Sequence, residues 1–244
     1  MRVLVVGGAG KIGTMIREAL MAEHDCYCFD LERIDELGNH SIVADTNDQQ
    51  AVKDAVAETE GIIYLPMRGY NSDRDKVTAP QDHWAVGKAF DTHIQGYYRF
   101  LCEGLAAGAR NFVYASTLSV YDSLNKPSRL NETMPADGFG VYAITKRLGE
   151  QLCITAAQYA PDACIVALRL AFPVTEDQMD QLNAPSRPKG KFPLRTQDLS
   201  RLFLAALACS KPGAHIVQAT GDLEGQRWPN TRVTELLGWK PQGF

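Results

Sequence analysis

The sequence predicts an α/β protein: a doubly wound parallel sheet with helices on both faces, followed by a small C-terminal substrate-binding lobe. Three observations point there. Short apolar runs alternate with longer stretches of helical periodicity up to about residue 170, a glycine-rich turn follows the first run, and the texture changes after Pro173. Runs that are apolar throughout belong to strands buried on both faces, as in parallel sheets covered by helices. The right-handed crossover rule then selects the doubly wound arrangement.

In chain order, "RVLVV" (2–6), "CYCF" (26–29), "SIV" (41–43), "GIIYL" (61–65), "NFVYAS" (111–116) and "CIVALRL" (164–170) read as strands. Between them, residues 12–22, 48–58, 81–108 and 140–159 carry apolar side chains at helical spacing. Past 173 comes "APSRPKGKFP" (184–193), a proline-rich basic loop. A helix over 196–210, a short strand near 214–219 and a last helix near 229–238 complete the chain. The expected division is a doubly wound unit over 1–173 and a small lobe over 174–244.

Composition narrows the class. A chain of 244 residues with 45% hydrophobic and 22% charged content can bury a full core. A net charge of -4 gives no reason to expect nucleic acid or an anionic membrane as partner. The first apolar run is too short for a signal-peptide core, and no stretch approaches the ~20 apolar residues of a membrane span. The six cysteines sit in apolar surroundings without a C-x-x-C pair, so they read as reduced thiols in a cytoplasmic protein. The five histidines are scattered, and no metal site is expected.

"VVGGAGKIG" passes from strand to helix through Gly7, Gly8, Gly10 and Gly13, with Lys11 and Ile12 inside the turn. A pyrophosphate must approach bare backbone N–H groups at a helix N-terminus, where a Cβ would obstruct it. Asp30 ends the second strand twenty residues after Gly10. A carboxylate there accepts bonds from a ribose 2′-OH and repels a 2′-phosphate, which favours NAD over NADP. Arg33 alone points the other way.

"YASTLSVYD" places Ser116 and Thr117 at the carboxyl edge of the sheet, where doubly wound proteins bind ligands. Tyr142 follows Thr117 by twenty-five residues, and Lys146 lies one helical turn further on. Tyr-x-x-x-Lys arises by accident on any amphipathic helix. Glycine loop, acid, strand-end hydroxyl and that pair, in order on one sheet, do not.

With "VVGGAGKIG", "NFVYASTLSVYD", "VYAITKRLGE" and "ALRLAFPV", the chain from residue 1 to about 175 resembles the extended short-chain dehydrogenase/reductase superfamily, the NAD-dependent epimerases and dehydratases. In length and in the ending "RWPNTRVTELLGWKP" it is similar to uronate dehydrogenases, although "ASTLS" departs from that group's strand end. The resemblance implies a Rossmann fold with Tyr142 as general acid/base and Lys146 as the cation that makes the phenol acidic. Thr117 aligns the substrate oxygen. NAD is held by Gly7, Gly10, Lys11, Ile12, Gly13, Asp30, Asp45, Leu65 and Pro66 together with Tyr142 and Lys146.

The resemblance also implies a homodimer through the helices at 81–108 and 140–159, whose Tyr97, Phe100, Leu101, Leu148 and Leu152 read as outward-facing. Pro66, Met67, His93 and Asp122 depart from the usual pattern, His93 standing where asparagine is common and reading as a structural hydrogen-bonding group. A small lobe suits a small free substrate. Ser116 and Thr117 are expected to touch it, and a carboxylate on it would meet Arg195 first and Arg68 second; Arg187, Lys189 and Lys191 share the basic loop. The activity expected is hydride transfer between NAD and a small acidic sugar or polyol. The rivals are an epimerase or dehydratase that keeps its NAD bound, and a non-catalytic dinucleotide sensor.

Overall fold

The computed structural model of the protein describes residues 1–68, 83–121, 131–182 and 192–242. Asp122, Arg187, Lys189 and Lys191 lie outside them. The strands are β1 (Arg2–Val6), β2 (Asp25–Asp30), β3 (Ser41–Val43), β4 (Gly61–Tyr64), β5 (Asn111–Thr117), β6 (Cys164–Leu170), β7 (Pro173–Val174), β8 (Leu194–Arg195) and β9 (Gly213–Ala219). The helices are α1 (Lys11–Glu23), α2 (Gln49–Val56), α3 (His83–Phe90), α4 (Tyr97–Ala107), α5 (Val141–Tyr159), α6 (Glu176–Leu182), α7 (Thr196–Leu207) and α8 (Thr231–Leu237). The stretch expected as one helix over 81–108 is α3 and α4 joined by a π-helical turn, Asp91–Gly96. Among the described residues no helix is long and apolar enough to cross a membrane.

Seven strands form one sheet in the order β3-β2-β1-β4-β5-β6-β9, and every pair is parallel. Side chains of a strand alternate between faces, so each strand feeds two cores. Val3, Val5, Ile63, Val113, Val166 and Leu168 pack with Ile16 and Leu20 of α1 and Leu199, Leu202 and Phe203 of α7. Leu4, Val6, Ile62, Phe112, Ile165 and Ala167 pack with Val52 of α2, Phe100 and Leu101 of α4 and Cys153 of α5. The apolar-throughout pattern follows from this, since both faces of each central strand lie under helices.

The chain beyond 173 does not stand apart. β9 pairs with β6 from Cys164↔Gly213 to Leu170↔Ala219, and α7 packs in the core shared with β1. A boundary at 173 therefore runs through packed interior. The reason is that β6 is buried on both faces and would otherwise present an open edge.

Tyr97, Phe100 and Leu101 are buried toward the sheet, not outward. On α4 the outer face carries Tyr98 and Cys102 instead, whereas on α5 Leu148 is exposed as expected, with Tyr159, and Leu152 is half-buried.

From β1 the chain winds one way to β3 and then the other way to β9, so the order reverses between β1 and β4. Connections leave the carboxyl ends of those two strands in opposite directions and open a crevice there.

Candidate active site

The crevice is a cavity of about 520 Å³ lined by the carboxyl ends of β1 to β5, the start of α1, and Tyr142 and Lys146 of α5. Of the residues singled out in the sequence, it brings together Gly7, Gly10, Lys11, Ile12, Asp30, Asp45, Leu65, Pro66, Arg68, Ser116, Tyr142 and Lys146. Gly13, Thr117 and Arg195 are not on its surface.

At one end the phosphate loop is set by close backbone contacts. Gly7 has φ +83°, in the left-handed region, and a Cβ on Gly13 would lie 2.5 Å from the Gly8 carbonyl oxygen. Gly10 caps α1 without a side-chain hydrogen bond, so the first N–H groups of the helix are left for an anion. Asp30 accepts N–H bonds from Ala9 (2.9 Å), Leu31 (2.7 Å) and Glu32 (3.3 Å), which fix its carboxylate beside the loop. Its remaining lone pairs can take a ribose hydroxyl. Glu32 lines the cavity as well, and Arg33 is bound to Asp35 at 3.2 Å; both disfavour a 2′-phosphate. A dinucleotide fits this donor set.

Asp45 accepts from the Asn47 N–H (2.9 Å) and pairs with Arg68 (3.2 Å). Burial opposes its ionisation, but the Asn47 amide and the Arg68 guanidinium outweigh that and hold its carboxyl below the usual range. Partial burial lowers the pKa of the Lys11 ammonium.

At the other end, Tyr142 and Lys146 sit one turn apart on α5. Lys146 is 2% exposed and donates to the carbonyls of Ala115 (2.8 Å) and Pro66 (3.5 Å). Its ammonium lies 5.0 Å from the Tyr114 ring centre and 5.9 Å from that of Tyr142. Burial pulls its pKa down to about 7.

Thr117 is buried, one residue past the cavity wall, where its Oγ1 accepts from the Ser119 N–H at 3.1 Å. A hydroxyl that accepts there keeps its own proton to donate. Arg195 sits on β8 opposite Val174, at the start of α7.

Two polar arrangements beside the cavity are not legible from spacing alone. The Ser116 hydroxyl donates to Glu150 (2.6 Å), and Glu150 takes a two-pronged bond from Arg169 (2.8 and 2.8 Å). Arg169 also donates to the Tyr121 hydroxyl, and all four residues are buried. The signal was visible: Glu150 repeats the four-residue spacing of Tyr142 and Lys146, and a charge inside "CIVALRL" must be paired.

His93 is the second. Its Nε2 accepts the Arg68 N–H (3.2 Å), so Nδ1 carries the proton and donates to Thr145 Oγ1 (2.7 Å). Burial first, then the Lys146 charge, pull its pKa down to about 2, so it stays neutral and ties the cavity floor to the first turn of α5.

Residues 3–186 match the sequence model of the NAD dependent epimerase/dehydratase family. The chain belongs to that family. It is therefore an NAD-dependent enzyme. Over 99% of its length and 94% of the other's, it is 28% identical to the uncharacterized protein YtbQ of Bacillus subtilis (strain 168). It is 23% identical to the L-arabinose 1-dehydrogenase (NAD(P)(+)) of Haloferax volcanii, covering 99% of this chain and 96% of that one. Its fold is that of the glucuronic acid dehydrogenase of Chromohalobacter salexigens, with a TM-score of 0.78, 24% identity, and 99% and 84% of the two chains covered.

Proposed function

We propose that the chain is an NAD-dependent dehydrogenase of a small sugar, an acidic one in the first instance. The observation that carries this reading is that Tyr142 and Lys146 share one cavity with the phosphate loop and Asp30. When bound, the dinucleotide supplies the hydride acceptor.

The protein's own work is to move the proton. A free phenol titrates near ~10, so Tyr142 needs a neighbouring cation to accept the substrate hydroxyl's proton at neutral pH. Lys146 is that cation while it holds its proton, at and below about pH 7. It is held by carbonyls with no carboxylate in its hydrogen bonds, so its field is not cancelled.

Arg68 lines the cavity, and its bond to half-exposed Asp45 is of the weak surface type, which a substrate carboxylate can replace. Relatives named for L-arabinose and glucuronic acid support a sugar of this size.

The test is absorbance of the reduced nicotinamide with a panel of uronic acids, aldonic acids and aldoses. Tyr142→Phe is expected to slow turnover by ~10²–10⁴-fold with NADH affinity unchanged. A variant as active as the parent ends the acid/base reading. Conversion of a nucleotide sugar without net NADH favours the epimerase alternative.

We also propose a homodimer through the outer faces of α4 and α5, where Tyr98, Leu148 and Tyr159 stand exposed, the last at 86%. Light scattering giving the mass of one chain at micromolar concentration excludes it.

A further inference from the structure

Gly149 stands in the interior of α5, where glycine is the poorest helix former short of proline. Its reason lies on β5: a Cβ at 149 would run into the Tyr114 hydroxyl. Gly149 follows Lys146 by three positions, so the two share one buried face of the helix. Bare backbone at 149 lets α5 settle onto Tyr114, and the Lys146 ammonium comes to lie 5.0 Å from the centre of that ring.

The ring is held in place by its neighbours. Tyr97 stacks on it at 4.4 Å with planes at 26°, Tyr64 lies 6.3 Å away at 20°, and all three are buried. Among the described residues nothing bonds the Tyr114 hydroxyl, so the ring itself is what this position contributes. No carboxylate among them meets the ammonium, which rests on the Ala115 and Pro66 carbonyls. Its own helix carries Tyr142, 5.9 Å away at the ring centre, and Glu150, which is taken up by Arg169 and Ser116. The π-helical turn brings the neutral His93, and the loop after β4 brings Arg68, which is bound to Asp45.

We propose that Tyr114 is a positioning residue of the active site: the negative face of its ring seats the Lys146 ammonium and keeps it charged beside Tyr142. This rests on the acid/base reading above, in which the Tyr142 phenol needs a cation. An aromatic ring attracts a cation most strongly where water is excluded, as it is here. Unlike a carboxylate, the ring carries no net charge. It favours the ammonium without cancelling the field that reaches the phenol.

The test follows the Lys146 ammonium itself in the cofactor-free protein, by NMR titration of isotope-labelled lysine side chains assigned against Lys146→Met. Three replacements are compared with the parent: Tyr114→Phe, Tyr114→Leu, and pentafluorophenylalanine at the same position, which keeps the shape of the ring and reverses the charge of its face. Tyr114→Phe is expected to keep the parent's midpoint, about 7. The fluorinated ring and Tyr114→Leu are each expected to lower it by about one pH unit. The melting temperature of the fluorinated protein is expected to match that of Tyr114→Phe, because the two rings fill the same space.

A fluorinated ring that leaves the midpoint where Tyr114→Phe has it overturns the proposal, whatever Tyr114→Leu does. So does a midpoint that falls in Tyr114→Phe as far as in Tyr114→Leu, which would assign the effect to the hydroxyl. Loss of folding in both the leucine and the fluorinated proteins, with Tyr114→Phe intact, overturns it too, since the ring would then serve the core and not the ammonium. Absence of turnover with every sugar, alongside the expected midpoints, brings down the dehydrogenase reading and leaves the seat of the ammonium standing.

Discussion

The two ends of the cavity are built by different means. At the dinucleotide end, the glycine turn, the start of α1 and Asp30 lie within 30 residues of one another, and the Asp30 carboxylate is fixed by three backbone N–H groups of the same segment. At the substrate end, the helix carrying Tyr142 is anchored through Glu150 to partners that come from β5, β6 and the turn after β5. One end is set by local backbone geometry, the other by polar contacts between distant parts of the chain.

Removing the distant contacts is expected to have the largest effect. Glu150→Gln leaves the Arg169 guanidinium buried without its counter-charge and is expected to lower unfolding stability by ~3–5 kcal/mol in urea titrations. A loss below ~1 kcal/mol would mean that the substrate end does not hang on that pair.

Lys146 gives the next largest effect, and its sign follows from proton counting. In the folded protein it releases its proton near pH 7, against an ordinary 10.5, so between those values the unfolded chain holds more protons. The burden of burying the charge is full below about pH 7 and is relieved as pH rises. Relative to Lys146→Met, the parent is therefore expected to gain roughly 2 kcal/mol between pH 7 and 9, measured by chemical denaturation. A gap that stays constant with pH would show that the ammonium is not desolvated.

At the dinucleotide end, two glycines separate packing from access. Gly13→Ala pushes a methyl against the backbone carbonyls of Gly7 and Gly8 and is expected to cost ~1–3 kcal/mol of stability. For Gly10→Ala the nearest atom is the Gly7 carbonyl oxygen at 3.3 Å, so the fold is kept at a cost under ~1 kcal/mol while NADH affinity falls. Equal effects of the two on melting and on NADH titration would erase the distinction between framework and cradle.

The same contrast explains what was legible in the sequence. Strand positions, the phosphate loop, Asp30 and the Tyr142–Lys146 pair depend on spacing within one or two elements, and spacing is what a sequence displays. The phase of α4 could not be read, because Tyr97 and Tyr98 are adjacent aromatics and only the packed sheet decides which one turns inward. The partnership of Glu150 with Arg169 and the tautomer of His93 depend on residues brought together by folding. The pairing of "GAHIVQA" with β6 is not legible either, because a short run gives no sign of which strand it joins.

That neighbour carries a consequence for how the molecule is made. A nascent chain has synthesised every residue of the dinucleotide cradle by Lys146, yet the helix that shields α1 and the strand that closes the sheet against β6 arrive only with residues 196–219. Until translation reaches them, one side of the growing domain stays greasy and wet at once, a surface for chaperones to guard.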